Sequence, residues 1–428
     1  MKKEKTMLLI KIAIPVFILG VGFGADRYLT LQGKASMDNP IVVSADSSAL
    51  TDKPLEIVSK QCYENVEGFS ENLGFINDDE AVVGVGLTST EFNKKYPNKI
   101  DTNDNDAMDK AHDDFYGYLY KIKLSTMEKA PLNIKTLNSA VLSNMSKVSF
   151  VKDNNFLIYD LNNASNNICE NADINSIKMN GGDWSEDGNC YMTYSENGDL
   201  DVYNVKTKSL KKLKVKSKNF WITSTRGFYS ENGENIYFLA TQNKDGDLKY
   251  QRQGIFKINS SENMNEVLVL PFHDPLNKDS KVSSINDFCV LDGGRKILLD
   301  GSIEGQYGDF IYDSETKKFY NVVAHTAVSK EGAYASPFWV SPDKTKVIFM
   351  NLEVINGKDQ WNLYAAKLNR NTFSDKICLY KDVNLSNSLD VKWSKDSKKI
   401  LFFTGVNPIK GNNYIFNEKN QVNIITFK

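Results

Sequence analysis

The residues able to do chemistry in this chain are few and scattered. His112, His273 and His325 lie in HDD, FHDP and AHT contexts, far apart in sequence. There is no H-E-x-x-H helix and no Cys/His cluster, so zinc has no recognisable ligand set. His112 and His273 each precede an aspartate, a pairing used in acid–base work, but loop histidines held by local hydrogen bonds are the plainer reading. Cys62, Cys169, Cys190, Cys289 and Cys378 include no C-x-x-C pair, and an odd, sparse set makes no disulfide framework. Cys190 and Cys289 sit in apolar runs and read as small buried hydrophobes. No G-x-S-x-G nucleophile elbow occurs. Glycoside cleavage needs two carboxylates flanking one bond, and 54 acidic residues supply such pairs by coincidence. No catalytic, cofactor-binding or metal residue is therefore assigned, and no cofactor is expected.

Two charged segments and three tryptophans carry binding readings. The segment Asn98 to Asp114 holds Asp101, Asp104, Asp106, Asp109, Asp113 and Asp114. Calcium favours such oxygen ligands, but an EF-hand fails, with Asp106 where glycine is needed and His112 where glutamate is needed. A solvated acidic loop is the expectation. Val205 to Lys218 contains seven lysines. It reads either as a patch for an anionic polymer or as an outer strand whose lysines discourage edge-to-edge pairing, and its place in the pattern below favours the strand. Trp221, Trp339 and Trp361 are expected in packing, with Trp361, after the loop Asn356 to Gln360, nearest a rim.

The elements that must position these residues follow from composition and pattern. The chain has 428 residues, 41% hydrophobic and 25% charged, with a net charge of −2. That excludes wholesale disorder and argues against a dedicated nucleic-acid binder, which is normally basic. Residues 7–25 are apolar except for Lys11 and just long enough to span a bilayer core. Lys2, Lys3 and Lys5 precede them, which keeps the N-terminus inside and sends the rest across. The expected organisation is a cytoplasmic tail 1–6, a transmembrane signal-anchor helix 7–25, a polar linker 26–53 and one domain 54–428. The alternative is a cleaved signal and a secreted product. Residues 1–25 carry a net +3, which leaves about −5 on the exported part.

The domain is a repeat. Short β-branched and aromatic runs alternate with Asn, Asp, Gly and Ser clusters, without sustained helical periodicity. Trp184-Ser185-Glu186-Asp187-Gly188, Tyr229-Ser230-Glu231-Asn232-Gly233, Leu291-Asp292-Gly293-Gly294, Ser341-Pro342-Asp343-Lys344 and Trp393-Ser394-Lys395-Asp396-Ser397 each precede an apolar strand. Asn77-Asp78-Asp79-Glu80 is a weaker copy, and Lys147 to Leu161 keeps only the strand pair. The buried second strands are expected near residues 81, 147, 189, 235, 296, 346 and 399. This spacing predicts an all-β propeller of seven four-stranded blades, with six or eight as alternatives. Pro54 to Ser59 is expected to add an outer strand to the last blade and close the ring.

These motifs resemble the TolB-like (WD40-like, PD40-type) β-propeller repeat over about 85% of the chain. Related oligopeptidases place a hydrolase domain beyond the propeller, and the sequence has no match to one. The resemblance implies a fold and no particular chemistry. The expected function is a non-catalytic, membrane-anchored, extracytoplasmic module for protein, peptide or cell-envelope polymer partners, with no nucleic acid. The alternatives are a propeller hydrolase or lyase on surface glycans or peptides, and an accessory sensor subunit of another membrane protein.

Overall fold

The computed structural model describes residues 40–44 and 54–428, apart from 65, 99, 102, 137–140, 144–145, 154, 170–181, 195–197, 216–219, 223–227, 245–246, 273–280, 282, 325–336, 356–357, 384–388 and 412–413. The tail 1–6 and the segment 7–25 lie outside the described residues. No helix among the described residues is long and apolar enough to cross a membrane.

Seven sheets, each built on four antiparallel strands, follow one another along the described residues. Their second strands are Glu80–Val85, Lys147–Lys152, Cys190–Tyr194, Asn235–Lys244, Lys296–Ile303, Lys346–Ile355 and Lys399–Gly411. These starts fall on or within one residue of the expected ones, and the blade count is seven. Each second strand is apolar because it is flanked by strands on both edges and by blades on both faces. In blade 5, every residue of Lys296–Ile303 after Lys296 is buried. The outer strand of blade 3, Ser209–Leu213, buries only Leu213.

The core is not one mass but seven wedges, one between each pair of neighbouring blades. Trp339 and Ile348 of blade 6 meet Ile400 and Phe402 of blade 7, for example. The last wedge joins Leu401 and Val422 of blade 7 to Phe69 and Val83 of blade 1, so the ring is closed. Closure is covalently staggered. The outer strand of blade 7 is the N-terminal segment Ile57–Tyr63, antiparallel to the C-terminal strand Tyr414–Phe427. The expected closing strand is present, and Leu55 is buried in the wedge between blades 6 and 7.

Two expectations change. The stretch 26–53 is not linker throughout, because Ile41–Ser44 pairs in parallel with Lys318–Ala324 as a fifth, outermost strand of blade 5. The acidic insertion is not a loop. Between the second and third strands of blade 1 the chain forms two helices, Ser89–Lys95 and Asn105–Tyr116. Thr88 and Glu91 make a capping box on the first, and Asp104 caps the second by accepting from Ala107 N at 3.1 Å. Phe92, Ile100 and Ala111 form their own buried cluster, with Met108 and Phe115 packed against it. The insertion docks tightly on blade 1. A Cβ on Gly86 would stand 1.9 Å from Phe115 O, and one on Gly117 1.9 Å from Val85 O.

Candidate functional site

The repeated motif is the turn between the first and second strands of a blade, and its chemistry is structural. Ser185 Oγ donates to Asp187 Oδ1 at 2.6 Å and accepts from Cys190 N at 2.9 Å. Ser341 with Asp343, and Ser394 with Asp396, repeat the arrangement at 2.6 and 2.7 Å. Their hydroxyls accept from Lys346 N and Lys399 N. The motif tryptophans reach back one blade. Trp184 Nε1 donates to Val141 O at 3.3 Å, and Trp393 Nε1 to Trp339 O at 2.9 Å.

Burial by itself raises the Asp343 carboxyl, but hydrogen bonds from Ser341, Thr345 and Lys346 outweigh it and pull the pKa down to about 2. A depressed carboxylate adds stability above its unfolded pKa of about 3.8 and loses it as pH falls toward 2. Because the side chain is 42% exposed, solvent screening limits this to about 1 kcal/mol. Asp343→Asn is expected to lower the unfolding midpoint at neutral pH, with the deficit vanishing as pH drops from about 4 to 2. Urea titrations at a series of pH values check it, and a deficit independent of pH would refute it.

On this turn face, two motif residues meet across the channel. Glu186 of blade 3 and Lys344 of blade 6 form an ion pair, although their blades are three places apart in a ring of seven. Tyr229 of blade 4 donates its hydroxyl to Glu186 Oε2 at 2.8 Å, and Lys344 Nζ stands 5.1 Å from the centre of the Tyr229 ring. Cys289 of blade 5 brings its Sγ to 3.9 Å from Lys344 Nζ. Four consecutive blades thus contribute to one clasp over the channel floor. Burial opposes the Lys344 ammonium, but Cys289 and Glu186 hold its pKa above the ordinary value. Burial also pushes the Cys289 thiol up to about 11, so it is no thiolate nucleophile.

The opposite face is elaborated. It carries the helical insertion and the ends of three lengthened hairpins, whose second and third strands reach 10 and 13 residues in blade 4, 10 and 12 in blade 6, and 13 and 14 in blade 7. Blade 3 needs only 5 and 5. Because every second strand starts just after its turn, the extra length projects from the far side. Val354 and Ile355 are 49% and 41% exposed at one such tip.

Near this face, at the seam of blades 1 and 7, lies a polar group that sequence reasoning missed. Glu71 is on the first strand of blade 1, Phe69–Phe75. Its carboxyl is raised to about 7, mainly by burial, with Asp390 adding to the rise and Lys392 opposing it. Lys392 Nζ is 2.8 Å from Asp390 Oδ2. Burial and Glu71 also raise the Tyr116 phenol. Asn72 crosses the seam, donating from Nδ2 to Leu401 O at 2.8 Å and Asp390 O at 3.2 Å. No motif marks Glu71, because it lies on the strand before a weak copy of the turn and outside the turn itself. The clasp had a signal: opposite charges in the same turn, three blades apart.

The residues singled out by sequence do not converge. His112 lies in the second insertion helix with its ring edge-on to Tyr116, at 6.5 Å between centres. His273 and His325 lie outside the described residues. Lys211 and Lys212 are on the outer strand of blade 3, where Lys211 donates to Ser260 O. Trp339 is buried and Trp361 packs on the same wedge, while Trp221 is 37% exposed. No group of three His, Cys, Asp or Glu side chains among the described residues gathers as a metal site.

No family model matches the chain, and no curated protein matches it. Solved structures do. An oligogalacturonate lyase in complex with manganese is 12% identical, with 89% of this chain and 98% of that chain covered and a TM-score of 0.49. An oligogalacturonate lyase from Vibrio parahaemolyticus is 10% identical, covering 87% and 98%, with a TM-score of 0.48. Dipeptidyl peptidase 4 from Porphyromonas gingivalis is 9% identical, covering 67% and 53%, with a TM-score of 0.37.

Proposed function

We propose that the chain is a non-catalytic binding or scaffold module, a TolB-like propeller anchored in the cell membrane by residues 7–25 and displayed outside the cytoplasm. Its contact surface for a protein, peptide or cell-envelope polymer is the elaborated face. The observation that carries this reading is the asymmetry of the two faces. Among the described residues the helical insertion and the three long hairpins project on one side, while the Glu186–Lys344 clasp spans the channel on the other. Contact loops concentrate where a rigid scaffold presents them together. A photo-crosslinker at Ile355, in native membranes, is expected to capture the partner. The same probe at Thr316, in a turn of the opposite face, is expected to capture nothing. Capture from Thr316 alone, or from neither, would overturn the assignment. Protease added to intact protoplasts tests the placement separately, since an external propeller is digested.

A second reading, a hydrolase or lyase on surface glycans or peptides, is favoured by Glu71. A carboxyl titrating near neutrality beside a second carboxylate is suited to proton transfer. On that reading Glu71→Gln abolishes turnover while leaving the fold intact, and the wild-type rate rises with pH through about 7 if Glu71 is the base.

A further inference from the structure

Blade 5 carries a row of three acidic residues across its three inner strands, one from each. Asp287 on Ser284–Leu291 stands opposite Asp300 on Lys296–Ile303, and Asp300 opposite Asp309 on Gln306–Asp313. Directly opposed residues share a sheet face, with Cβ atoms about 5 Å apart. Here that face meets blade 6. Leu298 and Ile311, two positions from Asp300 and Asp309 along the same strands, pack against Val347 and Phe349. Asp300 is 2% exposed and Asp309 is fully buried. Asn286 Nδ2 donates to Asp300 Oδ2 at 3.0 Å. Neither carboxyl oxygen of Asp309 has a hydrogen-bond partner among the described residues.

Three ligands could answer an orphaned carboxyl beside a second one. A lysine is close: Lys376, on the fourth strand of blade 6, acts on Asp309 together with Asp300 and Asp287. Its ammonium, however, donates to Val322 O at 3.2 Å. Burial also works against its charge. A metal ion needs ligands gathered around a point, whereas these carboxylates are strung across three strands. A proton needs only the pair. It removes one of two like charges that cannot both ionise out of water, and it turns a carboxyl oxygen into a donor.

We infer that Asp300 and Asp309 form a proton-binding site in the seam between blades 5 and 6, taking up one proton as the chain folds. Burial first, then Asp300, pushes Asp309 well above the ordinary carboxylate range, in keeping with this site. A group whose folded pKa is raised stabilises the fold at low pH, and that stability is lost as pH rises through the folded pKa. Above about pH 4, where Asp343 is ionised, wild-type protein is therefore expected to melt at lower temperature as pH rises. Asp309→Asn, with nearly the same shape and an amide donor in place of the proton, is expected to flatten that slope and to melt at least as high at alkaline pH. The difference between the two proteins isolates this site from Glu71, whose titration is common to both. Infrared spectra of the wild type at neutral pH are expected to show a protonated, buried carboxyl band that Asp309→Asn removes. If that variant does not fold, the band that persists in Glu71→Gln protein decides the matter, since Glu71 is the other carboxyl raised toward neutrality. A variant less stable at every pH would overturn the inference, marking Asp309 as an ionised partner of Lys376. So would the absence of the band. A calcium-dependent rise in melting temperature, lost in the variant, would equally overturn it in favour of a cation.

Discussion

Removal of residues 54–63 is expected to convert a single cooperative unfolding transition into a broad one at much lower temperature. These residues contribute the outer strand of blade 7, pairing with Tyr414–Phe427 from Ile57↔Phe427 to Tyr63↔Val422. They also bury Leu55 against Ile425 and Phe427 in the wedge between blades 6 and 7. Lys428 adds a backbone bond to Glu56 O and a side-chain ion pair with Glu56 at 2.8 Å. Lost strand pairing and apolar burial together come to on the order of 5 kcal/mol, comparable with the whole stability of an ordinary domain. The consequence is larger than a trimmed edge, because each wedge is shared by two blades. Opening this seam leaves blades 6 and 7 with a bare face each. Calorimetry and tryptophan fluorescence of the truncated chain check this. A single transition within a few degrees of the full-length protein would show that the ring does not depend on its closing strand.

Lys344→Met is expected to destabilise the propeller by about 2 kcal/mol, a fall of about 3 °C in melting temperature for a chain of this size. Breaking a buried ion pair by removing one partner costs more than the pair contributes, because the remaining charge is stranded. The side chains here are 26% and 37% exposed, which moderates the penalty. Glu186 would keep the Tyr229 hydroxyl but lose its countercharge. The diagnostic is the double variant Glu186→Gln with Lys344→Met, which strands no charge and is expected to recover most of the loss. A double variant no better than the sum of the two single ones would show that the residues act independently. It would also remove the argument that the clasp couples blades 3 and 6.

The repeat was legible because its signal is local and redundant. Trp393-Ser394-Lys395-Asp396 reads as a turn from residue types alone, and the hydroxyl of Ser394 and carboxylate of Asp396 make it by bonds within the turn. The second strands were legible because burial on both faces demands a continuous apolar run, as in Lys296–Ile303. The insertion in blade 1 was not. Its helix hides Ala107, Met108, Ala111 and Phe115, an apolar face, among four aspartates and a fifth at its cap, so the capping residue reads as part of a solvated loop. The candidate sites were least legible of all. Glu186 and Lys344 are 158 residues apart, and Glu71 meets Asp390 only because the chain ends come together. Asp300 and Asp309 become neighbours only once the hairpin register is known. In each case closure of the ring or pairing of strands creates the relationship.

The strand Ile41–Ser44 gives the molecule an order in which it yields to tension. A propeller held by its N-terminal end and pulled by a partner feels the load first at these four residues, which lie on blade 5 by a parallel ladder. Parallel pairing is slightly weaker per residue than antiparallel pairing. Behind it, seven residues in antiparallel register secure blade 7. The short strand peels away before the closing strand is strained, with all seven blades intact. Since forced unfolding is governed by the rate at which the first barrier is crossed, under such a load Ile41–Ser44 would yield first and spare the ring.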